Sequence, residues 1–446
     1  MHRATVCKAR PDCLGFMLAT VLLIALLACA PAAAHGFKIL HTFCAQDGCA
    51  DGGEPNGLVE DRAGNLYGTA EDSANGNDSG MVFALTRRKG GRYAYSVLYS
   101  FCSQAGCADG NWTASNGGLI VDKAGNLYGT TTFGGPEAGG EVYELKHKAG
   151  QWKLKVLYGF CDACGGPYYP TAGLTYAGAA SGALYDGVSP LFGTTASGGT
   201  GGYGFGYGVA FMLQPGEKGW TEQDMYDFCT QNNCADGQTP QVPLLVDASG
   251  NLYGTTLSGG DAYYGDGTAF ELSPSGNSWT ETVLYKFCTL ANCADGDWPS
   301  GGLVMDASGD LYGTAPFGGA SGSGVAYQIV PNGTKSRYTV LQNFGGASGG
   351  NPYSVPALDG QSDIFGTATQ GSNMERGGTV FAMSGSKIGV LHKFCRRAAC
   401  PDGCMPYSGV IRDPSGALFG TTMFGGNDEQ NGWDNTGFGT VYELAP

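Results

Sequence analysis

The chain has 446 residues, 78 of them glycine, and 24 basic against 39 acidic side chains give a formal charge of −15. That balance excludes nucleic acid and anionic lipid as partners, because both demand a basic footprint. A fibrous or low-complexity chain is excluded by 42% hydrophobic and 11% aromatic residues, enough for a packed core.

In chain order, the first 34 residues read as an export signal. "MHRATVCKARPDC" is a basic n-region, Leu14 to Ala30 is an apolar run, and "PAAAHG" offers an Ala-x-Ala site with cleavage after Ala34. "LLAC" at Leu26 to Cys29 offers a second route, a lipoprotein leader of residues 1–28 with lipid on Cys29. Retention as an uncleaved anchor is the third. No other segment is apolar enough to span a membrane. Residues 35–446 then form one domain.

Of 16 cysteines, Cys7, Cys13 and Cys29 lie in the leader. Twelve others fall in close pairs: Cys44 with Cys49, Cys102 with Cys107, Cys161 with Cys164, Cys229 with Cys234, Cys288 with Cys293, and Cys395 with Cys400. Cys404 is left over. In an exported chain such pairs are most simply disulfides. "CDAC" at Cys161 has redox-type spacing but follows a strand instead of opening a helix, so little would lower its thiol pKa.

Internal repetition decides the fold. "NLYGT" begins at Asn65, Asn126 and Asn251, "DLYGT" at Asp310, and degenerate copies sit at Leu191, Ile364 and Leu418. The marker aromatics are Tyr67, Tyr128, Phe192, Tyr253, Tyr312, Phe365 and Phe419, so there are seven units. Each unit alternates four short β-branched or aromatic runs with Gly/Asp/Asn turns, which predicts a four-stranded antiparallel meander. Glycine in "DKAGN", "DASGN" and "DRAGN" supplies the positive φ of a tight hairpin. Seven such meanders predict an all-β, seven-bladed β-propeller. A β-helix would use shorter coils, and a sandwich would not repeat seven times. "FKILHTFC" near the start matches a fourth strand, and "GTVYELAP" at the end matches a third. Pairing 37–43 with 439–444 would complete the last blade and close the ring.

"GNLYGTT", the following "GG", "VYEL" and "VLYxF" resemble the GloVer tandem repeat of exported bacterial choice-of-anchor proteins, over nearly the whole of residues 35–446. The resemblance implies export and an anchoring segment at one end. "YELAP" ends without an apolar tail, so an anchor is expected N-terminally. The resemblance implies no established activity.

Alternation of chain direction places the loop between strands two and three, and the crossover to the next blade, on one rim. That rim carries the variable Gly-rich loops and every cysteine pair, and loops on a rigid scaffold are where function concentrates. We call it the upper face. Its loops offer Tyr203, Phe205 and Tyr207, then Tyr263 and Tyr264 between Asp261 and Asp266, then Asp428, Glu429, Trp433, Asp434 and Phe438. The crossovers add Trp112, Tyr168, Tyr169 and Trp298. Aromatic faces beside carboxylates and amides suit sugar rings, which stack through CH groups and donate hydroxyl hydrogens. The ligand-binding candidates are Trp112, Tyr203, Tyr207, Tyr263, Tyr264, Trp298 and Trp433. The plainer alternative is that these rings pack the loops. The marker aromatics, with Trp152, Trp220 and Trp279, are expected to pack between blades.

Catalytic signals are sparse. The histidines are scattered, with His41 and His392 replacing a repeated strand-four tyrosine, so no zinc cluster or serine triad can be nominated. Asp261, Asp266, Asp428, Glu429 and Asp434 are carboxylates a propeller glycosidase or lyase would need. The Asp of "ADG" (Asp51, Asp109, Asp236, Asp295, and Asp402 in "PDG") is expected to accept backbone N–H bonds and fix the crossover, with calcium as the alternative. No metal or cofactor is assigned. The sequence thus predicts a monomeric exported binding module for a glycan or a cell-surface protein; the rivals are a propeller hydrolase or lyase and a structural surface protein.

Overall fold

Each repeat folds as one antiparallel sheet in which spatial order follows chain order, as in Gly53–Glu60, Leu66–Asp72, Met81–Arg88 and Arg92–Ser100 of blade one. The chain divides into two units, Met1–Ala34 and His35–Pro446. The computed structural model describes residues 36–445 apart from 73–78, 115–117, 149, 202–205, 261–264, 372–375 and 427–436. The predicted leader lies outside these. Seven sheets form a β-propeller; in blade two, two short pieces, Asn111–Thr113 and Ile120–Val121, share the inner edge. Helical structure among the described residues is limited to three-residue 3-10 turns. No helix among them is long and apolar enough to cross a membrane.

Ring closure follows the predicted register. Phe37–Thr42 is the outermost strand of blade seven, with Phe37 opposite Leu444 and Thr42 opposite Thr440. Removing an unpaired edge in this way is how a propeller avoids edge-to-edge association.

The repeated "YGT" has a physical reason at each letter. The aromatic reaches the neighbouring blade: Tyr67 packs with Leu119 and Val121, and Tyr128 with Leu174 and Phe211. Its hydroxyl also donates to the turn aspartate of its own blade, as Tyr128 does to Asp122 at 3.1 Å. Trp152 and Trp279 meet Tyr67 and Phe192 edge-on at 6.3 and 6.4 Å, which confirms their packing role.

The glycine is needed for close approach. A Cβ at Gly68, Gly193 or Gly254 would lie 2.5–2.6 Å from the ring tip of Phe83, Phe211 or Phe270, and at Gly129 2.5 Å from the Tyr143 hydroxyl. The threonine latches blades together: Thr130, Thr255, Thr314 and Thr367 donate to Ala172, Pro299, Ser354 and Ser408 carbonyls of the next blade. Thr421 makes the same bond to the Asn56 carbonyl at 3.1 Å, joining blade seven to blade one.

At the lower rim the "DxxGN" turns are Asx turns. Asp122 Oδ1 accepts from the Ala124 and Asn126 amides at 2.8 Å, and its Oδ2 accepts from the Asn126 side chain.

Candidate functional site

All six predicted disulfides are present. Cys44 is joined to Cys49, Cys102 to Cys107, and Cys161 to Cys164. Cys229 is joined to Cys234, Cys288 to Cys293, and Cys395 to Cys400. Cys404 is a buried thiol. Five of the staples span five positions and one, at Cys161 and Cys164, spans three.

The five longer staples each enclose a crossover with an aspartate just beyond it. In the second crossover Asp109 accepts from the Ser103 amide and hydroxyl, the Gln104 amide and the Tyr99 hydroxyl, at 2.6–3.0 Å. Burial pushes its carboxyl up, but these bonds outweigh burial and hold it below the usual range. Asp236 and Asp295 repeat the arrangement with Tyr226 and Tyr285.

His392 and His41 stand where the tyrosine does elsewhere. His392 Nε2 is 3.0 Å from Asp402 Oδ2. His41 Nε2 lies 3.2 Å from Asp51 Oδ2, without the alignment of a hydrogen bond. Burial dominates at His41 and lowers its pKa to about 4, although Asp51 opposes the shift.

Just past each crossover one residue enters the left-handed region: Glu54, Trp112, Tyr169, Thr239, Trp298, Asn351 and Met405, at φ of 54–62°. None is glycine, so each position costs on the order of 1–3 kcal/mol and must be held by its surroundings. The holding bond is the same in all seven blades. Each N–H donates to a carbonyl in or beside the preceding blade's second-to-third loop, as Trp112 does to Ser79 and Trp298 to Asp266, over 2.6–3.1 Å. The backbone is therefore fixed seven times while the side chain takes six identities over the seven positions, which is the pattern of a display ring.

Two aromatic arcs run from this ring. In one, Trp112 contacts Phe133 (5.8 Å), Phe133 contacts Tyr169 (4.7 Å) and Tyr169 contacts Tyr168 (4.7 Å). In the other, Trp298, Phe317, Tyr353 and Tyr407 follow at 5.9, 5.9 and 5.3 Å across blades five to seven. Trp112, Trp298 and Tyr407 are 40%, 46% and 38% exposed, and they are three of the five exposed large hydrophobic side chains among the described residues. The sequence offered Trp112, Tyr168, Tyr169 and Trp298 as aromatics of this face but not Phe133, Phe317, Tyr353 or Tyr407. The signal was present: Tyr353 and Tyr407 both follow a proline directly after the display residue, in "NPY" and "MPY".

Tyr207 is half-buried and its carbonyl holds Thr239 at 2.6 Å, so it serves the scaffold as well as the face. Tyr203, Tyr263, Tyr264 and Trp433 lie outside the described residues, as do Phe205, Asp261, Asp428, Glu429 and Asp434.

Asp297 stands beside Trp298, and the charge of Asp266 of the preceding blade acts on it. Burial first, then the Asp266 charge, raises the Asp297 carboxyl to about 6. Asp266 also lies within 4.8 Å of the Cys288 and Cys293 sulfurs, which are joined in a disulfide and offer no thiolate.

On the axis, residues in or just before the inner strands of all seven blades line a cavity of about 330 Å³. Among the described residues no charged side chain lines it.

A family model, the Gloeobacter/Verrucomicrobia repeat, matches residues 184–354 and 289–446, together more than half of the sequence. The chain belongs to the Gloeobacter/Verrucomicrobia repeat family. No curated protein matches this Gloeobacter/Verrucomicrobia repeat chain. Among solved structures, the extracellular domain of a hybrid two-component system from B. thetaiotaomicron is similar at TM-score 0.54 and 9% identity. That match covers 91% of this chain and 39% of the other, so the repeat chain spans about two fifths of it. A protein assigned as a 6-phosphogluconolactonase from Bacteroides uniformis is similar at TM-score 0.46 and 11% identity, covering 75% and 83%. At these identities the likeness concerns the fold alone.

Proposed function

We propose that the protein is an exported binding module whose upper face takes carbohydrate. The arc Trp298–Phe317–Tyr353–Tyr407 carries this reading: two exposed rings, Trp298 and Tyr407, are joined through half-buried Phe317 and Tyr353, and such a connected apolar surface suits a ligand that covers it. Ring faces and edges meet the CH groups of a pyranose, while amide, hydroxyl and carboxyl groups around them accept and donate hydrogen bonds. Residues 1–34 are the cleaved leader in this reading, with lipidation at Cys29 as the alternative. Six disulfides, which persist in oxidising compartments, support export to the periplasm or beyond.

A glycan array on the mature chain, with hydrolysis assays on the same polymers, tests the proposal. Binding should be weakened about tenfold or more in Trp298→Ala and Tyr407→Ala, in line with aromatic hot spots. An array without hits, or hits indifferent to both substitutions, would refute it. Cleavage of a bound polymer would favour the hydrolase reading instead.

A further inference from the structure

The axial cavity carries two glycines with open space where a side chain would stand. Gly57 lies within the inner strand Gly53–Glu60, and Gly118 is its neighbour in blade two; both line the cavity. Neither has left-handed backbone. A Cβ at Gly118 would meet nothing within 4 Å, and one at Gly57 would meet only Gly118, at 3.8 Å or more. Gly57 falls in the register irregularity between Pro55 and Leu58, where the inner strand slips against its partner, whereas Gly118 is required neither by a turn nor by a ring pressed on it. Glycine costs a strand stability, and where no turn or bulge needs it, it marks a place where another molecule approaches the backbone.

The wall formed by blades five, six and seven is different, because Ser300, Tyr353 and Ser408 line the cavity there. Ser300 Oγ is buried without a hydrogen-bond partner. Ser300 follows its display residue by two positions, and Asn56 and Thr171 do the same in blades one and three. Asn56 and Thr171 do not line the cavity, whereas Ser300 does. Leaving a buried hydroxyl without a partner is costly, and a ligand in the cavity would satisfy that of Ser300. The rest of the lining is largely apolar, with Leu58 and Leu119 among its residues.

We infer that the axial cavity is a binding site for one neutral sugar ring, the terminal residue of a glycan. Three features select that class. The volume falls in the range of small-molecule sites. The lining offers hydroxyls but no charge, which disfavours phosphorylated or uronic acid rings. Its lining sets glycine backbone and apolar side chains beside the hydroxyls of Ser300 and Tyr353, which suits a ring with an apolar face and a hydroxylated rim. Tyr353 belongs to both the cavity and the aromatic arc, so a chain ending in the cavity would leave along that arc. The inference rests on the carbohydrate reading of the upper face.

The test uses the full mature chain with neutral hexoses, N-acetylhexosamines and their linear oligosaccharides, followed by calorimetry and ligand-observed NMR. Gly57→Val adds bulk beside the cavity at the strand's register irregularity, so persistence of the fold is checked by its melting temperature. We expect Gly57→Val to weaken both monosaccharides and oligosaccharides about tenfold or more, as loss of a filled pocket does. Ser300→Ala should weaken monosaccharides without altering the melting temperature. Trp298→Ala should weaken only the oligosaccharides. If oligosaccharides bind but Gly57→Val leaves them unchanged, the cavity is not the site while the arc reading stands. If monosaccharides bind the wild type and Gly57→Val equally, the inference also fails. If no sugar binds the wild type, both readings fall. Should Gly57→Val unfold, Gly118→Ala and Ser300→Ala carry the same comparison.

Discussion

Replacing Glu141 by glutamine should flatten the response of stability to alkaline pH. Glu141 lies in the third strand of blade two, Ala138–Lys148, fully buried, and neither carboxyl oxygen has a hydrogen-bond partner. Burial first, and the Asp109 charge second, raises its pKa from 4.5 to about 8. Between these values the folded chain holds a proton that the unfolded chain has released. Stability is therefore fully present below pH 4.5 and is lost as pH rises through 8. The slope is about 1.4 kcal/mol per pH unit, a ceiling of ~5 kcal/mol across the window. Glutamine keeps the shape of the neutral acid and cannot ionise. It adds one amide to a site without partners, which should cost roughly 1–3 kcal/mol at low pH. Urea midpoints at pH 5, 7 and 9 should show Glu141→Gln slightly weaker than wild type at pH 5 and clearly stronger at pH 9. Some decline will remain, because Glu222 and Glu281 are also raised to about 8, chiefly by burial. Parallel curves for the two proteins would refute the assignment of a buried neutral acid.

Acid should act through a different residue. Because burial lowers His41 to about 4, its contribution is present above pH 6.5 and is lost as pH falls from there through 4; His41→Tyr should remove that loss in melting scans from pH 7 to 4. Asp236→Ala strips the fourth crossover of its Tyr226 and Thr230 bonds, so proteolysis in the 229–237 loop should accelerate, while an unchanged rate would deny the aspartate its organising role. Thr421→Val removes the latch to Asn56 and should lower stability by about 1 kcal/mol in urea unfolding, as should Thr255→Val at an interior seam. Mass spectrometry of the non-reduced mature chain, alkylated after unfolding, should recover six local disulfides and place the alkyl label on Cys404.

Blade number, strand register, closure by 37–42 and the disulfide pairs were all legible, because each is written seven or nearly seven times in one local pattern. What repeats along the chain can be read along the chain. The latch of Thr130 on Ala172 was hidden inside a motif that looked purely turn-forming, since its acceptor sits a blade away. The arc joining Trp298 to Tyr407 draws single residues from three blades, and the cavity draws from all seven. Such sites exist only across the repeat. Their members are the positions at which the units differ, and a reading that aligns the units averages them away. Glu141 shows the same blindness: it occupies a position filled by Val209, Thr268 and Thr440 elsewhere, and nothing local announces that its carboxyl is sealed.

The pairing of Phe37–Thr42 with Thr440–Leu444 also sets a schedule. Every other strand finds its partner within its own repeat, so six blades can assemble as the chain emerges. The first strand must wait for the last. Because loop-closure entropy grows only logarithmically, each doubling of the span adds about 0.6 kcal/mol, so the delay weighs far more on kinetics than on final stability. Until then blade seven has an open edge and the first strand has none to join, which makes the interval before closure the time when two copies could exchange ends. A chain exported as proposed, folding beyond the reach of cytosolic chaperones, is safest when that interval is short, and the Thr421 latch beside the seam works toward making it so.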